Sequence, residues 1–466
     1  MFYNIRSCRK QAIISSDGTC LTYEELAEDV KNMGNQLAER RIAFCLCENS
    51  PASVVGYLAC LNKKTVPLLL DKKINIELLD DLIHCYQPTY LYVPAAMAAQ
   101  FQGYKVRTVF MNYVLLCQEK REDKVEVYDE LALLLTTSGS TGSPKLVRQS
   151  YTNIQSNAET IAAYLNLTDE ERPITTLPMN YTYGLSIINS HLQVGATILM
   201  TDYPMNMKAF WKFFENENAT SFGGVPFTYE MLKKMHFFKK DLPTLRYMTQ
   251  AGGKLSPEIH KEFAEWCLKH GKSFIVMYGQ TEATARMGYL PGEKSLEKYG
   301  SIGRAIPGGK FILIDVMGNE ITDPDTVGEL IYEGDNVTLG YAECLNDLAK
   351  GDERKGRLET GDMAKFDADG YYYIVGRKKR FLKIFGNRVN LDEIDLLIKK
   401  TYQDIECAST GVDDHMKTYI TRMDLTNEVR RWLASTTHLS ESAFEVIYID
   451  KLPKNEAGKI LYKELC

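Results

Sequence analysis

The feature that most constrains the fold of this chain is a regular alternation of helical and strand patterns over its first four-fifths. Apolar residues recur at helical spacing over residues 23–40, after a candidate N-cap at Thr22, and a strand-like run at 42–47 follows. A second helical pattern at 51–61 and a buried strand pattern at 65–70 repeat this order. Such alternation is typical of parallel sheets with helices on both faces. We therefore predict an α/β fold with two helix-covered sheets.

The pattern changes near Ile302. Short apolar strands, such as residues 311–315 and 328–332, are separated there by Gly, Asp and Asn, which indicates a small antiparallel or β-barrel-like subdomain. After a basic cluster at 377–380, a short βα segment completes the chain. We place a domain boundary at Lys379, with a large N-terminal domain over residues 1–379 and a small C-terminal α+β domain over residues 380–466.

Composition excludes several classes of protein. The net charge of −6 is spread along the chain, which gives no reason to expect nucleic acid as a partner. No apolar run reaches the length of a membrane span, and the N-terminus lacks the apolar stretch of a signal peptide. The 11 cysteines form no C-x-x-C pair, and Cys45 and Cys47 fit best as small core residues on one face of a strand. We expect reduced thiols and a cytoplasmic protein.

The strongest local signal is a loop of small hydroxyl residues and glycines that runs from Thr136 to Lys145, directly after the apolar run 131–135. Backbone N–H groups in such a loop can surround an anion, the hydroxyls add donors, and the lysine adds a positive charge. The spacing of its glycines is not that of a Walker loop, and an ordinary flexible Ser/Gly loop is the alternative. The residues predicted to bind phosphate are Thr137, Ser138, Gly139, Ser140, Thr141, Gly142 and Lys145.

Four further motifs follow this loop. They are Gln250-Ala-Gly-Gly253, Tyr278-Gly-Gln-Thr-Glu282, Thr360-Gly-Asp362 and Pro453-Lys-Asn-Glu-Ala-Gly-Lys-Ile460. In kind and in order these motifs resemble those of the adenylate-forming superfamily, which includes acyl-CoA synthetases, firefly-type luciferases and peptide-synthetase adenylation domains. The resemblance extends from residues 21–25 to Lys459, which is nearly the whole chain.

The resemblance implies a nucleotide site. Glu282 would help to hold Mg²⁺, which prefers oxygen ligands, and Thr281 would contact the phosphates. Asp362 would accept hydrogen bonds from both ribose hydroxyls, and Arg377 would be the second ribose contact. Taken alone, Glu282 would be a solvated acid, and the glycine motifs would be plain turns. The segments implied to line adenine and the nucleotide are Gln250, Ala251, Gly252 and Gly253, and Tyr278, Gly279 and Gln280.

The resemblance also implies a C-terminal domain that turns between two half-reactions. Lys379 would be the hinge, Gly386 would lie in the loop that faces the incoming thiol, and Lys459 would reach the carboxylate and the α-phosphate. A solvated basic face is the alternative interpretation of the charges from Arg377 to Arg380.

By position in the family, Tyr181, Gly223, Gly224 and Val225 would line the acyl pocket. The chain departs from the family pattern there, since Tyr181 replaces a familiar histidine. Its segment also lacks the aspartate that binds an α-ammonium group, and we infer a substrate without an α-amine. Arg286 could meet a second acid group on the substrate, although a structural ion pair is the favoured interpretation.

Together these implications describe an acid–thiol ligase that forms AMP. It would use ATP and Mg²⁺ to make an acyl-adenylate from a small carboxylic acid, and would pass the acyl group to the thiol of CoA or of a phosphopantetheinylated carrier protein. A stand-alone adenylating enzyme with a non-thiol acceptor and a non-catalytic nucleotide-binding regulator are the alternatives.

Lys459→Ala is expected to lower acyl-adenylate formation by orders of magnitude while MgATP still binds. Negative charge develops on the phosphorus as pyrophosphate leaves, and one cation at about 4 Å contributes about 4 kcal/mol at an effective dielectric constant near 20. That energy corresponds to roughly a thousandfold in rate. Adenylate formation and MgATP binding are the two measurements, and near-normal adenylation by the variant would refute the assignment.

Overall fold

A computed structural model describes residues 1–118, 126–136, 145–385, 387–402, 404–454, 458 and 460–465. The chain divides into two compact units. The first comprises Met1–Lys310 and Tyr332–Leu358, and the second comprises Phe311–Ile331 and Glu359–Cys466.

Five of the ten described α-helices begin after a residue whose side chain caps the first turn; α1, for example, begins after Thr22, which forms a capping box with Glu25. Numbered in chain order from α1 to α10, the described α-helices are Tyr23–Gly34, Pro51–Asn62, Ile76–Tyr86, Tyr151–Tyr164, Thr182–Val194, Lys208–Asn216, Pro226–Lys234, Pro257–Lys269, Leu391–Thr401 and Thr426–Thr437.

The strands are rich in apolar and β-branched residues. Numbered in chain order from β1 to β25, the described strands are Gln11–Ser15, Cys20–Thr22, Ile42–Cys47, Val66–Asp71, Tyr90–Pro94, Tyr104–Phe110, Tyr113–Gln118, Leu131–Thr136, Leu146–Ser150, Ile198–Met200, Ser221–Gly224, Tyr247–Gln250, Ser273–Tyr278, Gly288–Tyr289, Arg304–Ala305, Lys310–Ile314, Gly328–Glu333, Gly340–Ala342, Arg357–Phe366, Tyr372–Arg377, Phe381–Ile384, Asn387–Asn390, Cys407–Val412, His415–Ile420 and Phe444–Tyr448.

The largest sheet of the first unit has eight strands in the order β18-β9-β8-β4-β3-β5-β7-β6. Successive residues of a strand point to opposite faces, so β3 contributes Phe44 to one core cluster and Cys45 to the other. Helices α1 and α2 contribute residues to the cluster of Cys45, and α3 contributes to that of Phe44. Both faces are therefore covered, and Cys45 and Cys47 are buried core residues as predicted.

A second sheet of the first unit has the order β11-β12-β13-β14-β15. Its strands β11, β12 and β13 are parallel, so their carboxyl ends lie at one edge. The segments that begin after Gly224, Gln250 and Tyr278 are thereby brought to that edge, which is where α/β sheets bind ligands.

The second unit contains three small sheets. Strands β16-β17-β19-β20 form a four-stranded sheet with a linear strand order, strands β21 and β22 pair with each other, and β23-β24-β25 form a third sheet. Helices α9 and α10 share a core cluster with β21 to β24. The four-stranded sheet is the small β subdomain that the sequence predicted, without closure into a barrel.

The predicted α/β class with helix-covered sheets is confirmed. One predicted helix was too long, since α1 ends at Gly34 and not at residue 40. Glycine weakens a helix, and tighter turns follow, in which the Leu37 N–H donates to the Gly34 carbonyl at 3.0 Å. These turns keep Leu37 buried. This explains why the helical spacing of apolar residues continues in the sequence beyond the end of the helix. The predicted domain boundary at Lys379 stays a prediction.

None of the helices in the described part of the chain has the length and apolar character that a membrane crossing requires.

Two histidines are buried as neutral imidazoles in the first unit. Nδ1 of His260 accepts from the Gly300 N–H at 3.1 Å and Nε2 lies 2.9 Å from Ser295 Oγ, so a proton on Nδ1 would meet a donor. His191 bridges the Ile187 carbonyl and the Tyr247 hydroxyl. Burial lowers the pKa of each from 6.5 to about 4.

We therefore expect the free energy of unfolding to fall as pH falls from 6.5 towards 4. In that window the unfolded chain binds protons that the folded chain does not bind, and each histidine contributes a slope of up to about 1.4 kcal/mol per pH unit. Urea unfolding across this range measures the slope. His191→Asn and His260→Asn are expected to flatten it, whereas His84→Gln, which removes a surface imidazole, is not. Equal slopes in all four proteins would contradict the assignment.

Candidate functional site

The turn after β13 carries the Tyr278-Gly-Gln-Thr-Glu282 motif and is held in a strained conformation. Thr284 and Ala285 have φ values of 53° and 101°, a region that residues with side chains rarely adopt. A Cβ on Gly279 would overlap the carbonyl oxygen of Ala285, so this position of the motif requires glycine. The strain must be balanced by contacts from outside the turn.

Two buried asparagines supply such contacts. Asn336 Nδ2 donates to the carbonyls of Ala283 at 2.8 Å and of Arg286 at 2.9 Å, and Asn157 Nδ2 donates to the same Arg286 carbonyl at 3.0 Å. The Thr284 hydroxyl donates to the Asn336 carbonyl at 2.8 Å. These hydrogen bonds determine the path of the turn.

The backbone of Glu282 is fixed as well. Its carbonyl accepts from the N–H and the hydroxyl of Thr338, at 3.0 and 2.9 Å, and from Arg354 Nη1 at 3.1 Å. Gln149 Nε2 lies 3.5 Å from the carbonyl of Thr281. The side chain of Glu282 is therefore presented from a rigid base.

Tyr341 connects Glu282 to Lys145. The antiparallel pairing of β18 with β9 puts Ala342 opposite Leu146, which brings Tyr341 beside Lys145. The Tyr341 hydroxyl donates to Glu282 Oε1 at 2.7 Å, and Lys145 Nζ lies 3.8 Å from the centre of the Tyr341 ring. Lys145 is also 3.8 Å from a carboxylate oxygen of Glu343. One aromatic side chain thus contacts both a carboxylate and an ammonium group.

The electrostatics keep Tyr341 a hydrogen-bond donor. Burial, with the adjacent Glu282 carboxylate, raises the pKa of the Tyr341 hydroxyl to about 12. The Arg354 guanidinium lies 4.6 Å from the centre of the same ring, so a second cation is close to it. This cluster combines one carboxylate with cations that can meet phosphate oxygens.

The segment after β12 is shaped by Gln250, whose buried side chain donates to the carbonyls of Ala251 at 3.1 Å and Gly253 at 3.0 Å. Gly252 has a φ of +83°, and a Cβ there would come within 2.6 Å of the Tyr181 hydroxyl. This close approach places Tyr181 against the segment that the sequence assigned to adenine.

The residues assigned to the acyl pocket lie at the same end of the sheet. Val225 belongs to an apolar cluster with Tyr183 and Met277, and Tyr181 packs against this cluster. A Cβ on Gly223 would come within 2.9 Å of the Tyr183 hydroxyl, so the wall has no room for a side chain there. Gly224 is equally close to Tyr229, since a Cβ there would lie 3.0 Å from its ring.

In the second unit, Asp362 and Arg377 are opposite each other on β19 and β20. Arg377 Nε lies 2.6 Å from Asp362 Oδ1, and Asp362 is buried whereas about half of the Arg377 side chain is exposed. The Thr360 hydroxyl accepts from the Asp362 N–H at 3.1 Å and donates to the Leu330 carbonyl at 2.7 Å. The structure thus brings together the two residues that the sequence assigned to ribose.

The basic cluster that contains Arg377 is largely ion-paired. Lys378 Nζ lies 2.6 Å from Glu329 Oε2, and Arg380 pairs with Asp392 at 2.8 Å and with Asp395 at 2.9 Å. Arg377 and Lys378 are nevertheless more than half exposed, as on the solvated basic face that the sequence left open, whereas Arg380 is mostly buried. Lys379 lies in the short 3-10 helix between them.

Within the described ranges, Arg286 does not form the structural ion pair that the sequence favoured. It is buried, and its recorded partners in the described part of the chain are Ser186, Tyr164, Met277 and the ring of Tyr183.

Several predicted site residues lie outside the described residues. They are Thr137, Ser138, Gly139, Ser140, Thr141 and Gly142 of the phosphate loop, Gly386 and Lys459.

Sequence reasoning missed Tyr341, Arg354 and Asn336. Each follows the Glu282 motif by more than fifty residues and lies in no motif of its own. Tyr341 lies in the short strand Gly340–Ala342. The pairing of this strand with β9, which brings Tyr341 to the site, is visible only in three dimensions.

Comparison with known proteins gives consistent results. A family model described as "AMP-binding enzyme" matches residues 4–342. The chain is 29% identical to an oxalate–CoA ligase of Arabidopsis thaliana, over 71% of this chain and 66% of that protein. It is 27% identical to a feruloyl-CoA synthase of an Amycolatopsis species, over 96% and 94% of the two chains.

Solved structures share the fold. The o-succinylbenzoate CoA synthetase of Bacillus subtilis, in complex with its acyl-adenylate intermediate, gives a TM-score of 0.78 at 20% identity and covers 98% of this chain and 95% of its own. ATP-bound MatB from Rhodopseudomonas palustris gives 0.77 at 22% identity and covers 100% and 98%.

Tyr341→Phe is expected to weaken MgATP binding roughly tenfold, because Glu282 loses a hydrogen bond of about 1.5 kcal/mol. ATP binding in the presence of EDTA should change little. Titration calorimetry with and without Mg²⁺ separates the two effects. Tyr23→Phe, which removes a buried hydroxyl bonded to the Ala196 carbonyl, is the control for lost stability. Equal weakening with and without Mg²⁺ would show that Tyr341 does not act through Glu282.

Proposed function

Because this chain belongs to the AMP-binding enzyme family, we propose that it is an acid–thiol ligase that activates a small carboxylic acid with ATP. A carboxylate oxygen of the acid attacks the α-phosphorus of ATP, and the bond from this phosphorus to the bridging oxygen of the β-phosphate breaks. Pyrophosphate is released, and the acid is now an acyl-adenylate. A phosphopantetheine thiol then attacks the acyl carbon, and AMP departs. The observation that carries the proposal is the contact of Tyr341 with both Glu282 and Lys145.

Lys145 suits the phosphates. It directly precedes β9 and follows the loop predicted to surround an anion, and more than a third of its side chain is exposed. A fixed ammonium in a partly buried site stabilises charge on phosphate oxygens, because little solvent reorganisation is needed. Its ammonium group lies 3.8 Å from a Glu343 carboxylate oxygen and 3.8 Å from the centre of the Tyr341 ring.

The residues present fit a Mg²⁺ ion that is shared with the substrate. No group of three or more His, Cys, Asp or Glu side chains in the described part of the chain could hold a metal alone. Glu282 offers one carboxylate, fixed by Tyr341 and a rigid backbone. Mg²⁺ is commonly bound by one or two carboxylates together with phosphates and water, and it would supply charge neutralisation there.

The remaining nucleotide contacts are proposed from the motifs. Gln250, Ala251, Gly252 and Gly253 would face adenine, and Gly252 has the positive φ that glycine adopts readily. Asp362 would accept from the ribose hydroxyls, with Arg377 beside it. Thr281 would contact the phosphates from the turn that also presents Glu282.

The acyl group would lie along Tyr181, Gly223, Gly224 and Val225. This wall is apolar, Gly223 is crowded by the Tyr183 hydroxyl and Gly224 by Thr228 and the Tyr229 ring, which favours a small or flat acid over a long chain. The segment of Tyr181 contains no aspartate for an α-ammonium group, so an acid without an α-amine is proposed.

CoA is the proposed acceptor. The relatives with the printed names oxalate–CoA ligase and feruloyl-CoA synthase support it, and a carrier protein with the same thiol arm is the second candidate. We further propose that Lys379 is the hinge, that Gly386 faces the thiol and that Lys459 closes on the adenylate. Every cysteine that the structure describes is a free thiol, in keeping with the proposed cytoplasmic location.

Isotope exchange between pyrophosphate and ATP, with Mg²⁺ and pooled fatty, aryl, hydroxy, dicarboxylic and amino acids, tests the proposal. We expect exchange with one acid pool and little with Glu282→Gln, which keeps the side-chain shape and removes the charge. Dividing the pool identifies the acid. AMP release is then measured with CoA, with a phosphopantetheinylated carrier protein and without a thiol.

The outcomes separate the alternatives. Exchange with AMP release that does not depend on a thiol would indicate a stand-alone adenylating enzyme. Absence of exchange with every pool, in a protein that binds MgATP, would favour a non-catalytic nucleotide-binding regulator. Exchange only with amino acids would overturn the argument from the missing aspartate.

A further inference from the structure

Among the residues that the structure describes, Arg286 is a buried cation without an acidic partner. Its residue is 2% exposed. Nε donates to Ser186 Oγ at 3.2 Å, and Nη1 donates to the Tyr164 hydroxyl at 3.0 Å and to Met277 Sδ at 2.7 Å. The guanidinium carbon lies 4.8 Å from the centre of the Tyr183 ring. These partners satisfy N–H groups but carry no negative charge.

The chain contains a direct contrast in Arg148, which is also fully buried. Its Nη2 pairs with Glu353 at 2.5 Å, and its N–H groups reach carbonyls of Tyr341 and Leu339. Arg148 therefore has both a counter-charge and carbonyl acceptors, as a structural arginine requires. For Arg286, no carboxylate and no hydrogen bond from Nη2 is recorded within the described ranges.

The groups around Arg286 do not neutralise it. His191 is held neutral, since burial and the nearby Arg286 charge lower its pKa to about 4. Burial raises the pKa of the neighbouring Tyr164 and Tyr183 hydroxyls, so both remain neutral as well. A guanidinium buried among neutral groups is costly, and a counter-ion that arrives with a ligand removes the cost.

Arg286 also lies next to the wall assigned to the acyl group. Its cation contacts the Tyr183 ring, and the Tyr183 hydroxyl donates to Thr249 Oγ1 at 2.8 Å. That hydroxyl is the atom that crowds Gly223 on the proposed acyl wall. The Tyr183 side chain thus contacts both the Arg286 guanidinium and the proposed acyl wall.

We propose that Arg286 is the counter-charge for a second acid group on the substrate. The acid would carry the carboxylate that is activated and, at its other end, a carboxylate or another anionic group that the guanidinium binds. Nε and Nη1 of Arg286 already donate to neutral groups, and Nη2 keeps its N–H groups for a charge-assisted hydrogen bond to an anionic oxygen. This inference rests on the proposed adenylation, of which it names the substrate class.

The test compares acids that differ only in their distal group. Pyrophosphate–ATP exchange is measured with a series of dicarboxylic acids, with the monoamide of each and with the monocarboxylic acid of equal length. We expect the wild-type protein to prefer one diacid over its monoamide by roughly a hundredfold or more in kcat/KM, as sites built for a polar group reject analogues that lack it.

Variants assign the preference to the residue. Arg286→Met should abolish the preference, mainly through a higher KM for the diacid, and Arg286→Lys should restore part of it. Arg422→Met makes the same change at an exposed arginine that pairs with Asp424, and should keep the preference. Unchanged affinity for AMP shows that Arg286→Met is folded, and residual exchange with monocarboxylic acids makes its specificity measurable.

The failures are distinguishable. Exchange by the wild-type protein that is as fast with monocarboxylic acids as with diacids would overturn this inference and leave the proposed adenylation standing. A diacid preference that survives in Arg286→Met would show that another group binds the distal acid. Lack of exchange with every acid would refute the proposed function itself, and this inference with it.

Discussion

The candidate site depends on two buried asparagines that hold a strained turn. Asn336 and Asn157 both donate to the carbonyl of Arg286, and Asn336 also holds that of Ala283. Between these anchors lie Thr284 and Ala285 in left-handed conformations, which are stable only if their surroundings enforce them. Glu282 lies two residues before the first strained residue, so its position is set by amide hydrogen bonds from α4 and from the segment before β18.

A second long-range element completes the cluster. The pairing of β18 with β9 brings Tyr341 to Lys145, and Tyr341 in turn donates to Glu282. Arg148 holds the same strand in place. Its side chain is fully buried and pairs with Glu353, so it has little freedom to move. A structural ion pair thus supports the strand that positions the polar cluster.

Much of this could be predicted from the sequence because the signals were local. Strand β3 was predicted with its observed bounds, and Gly279 and Glu282 lie in one motif whose glycine is required by the approach of the Ala285 carbonyl. Tyr341 and Arg354 could not be predicted, since their contacts with Glu282 join residues 59 and 72 positions apart. Such pairs follow from strand pairing, and no periodicity in a single sequence reveals which short strand adds to which edge.

The two buried arginines show where local reasoning fails for a physical reason. An ion pair was the favoured interpretation for Arg286 from the sequence. Whether a buried cation is neutralised depends on which carboxylates the tertiary fold brings within about 4 Å. The fold brings Glu353 to Arg148, whereas the elements around Arg286 present a serine, tyrosines, a methionine and a neutral histidine. The turn that fixes Glu282 therefore ends at Arg286, a cation for which the described chain provides no carboxylate. This difference makes Arg148 a structural residue and Arg286 a candidate for binding substrate.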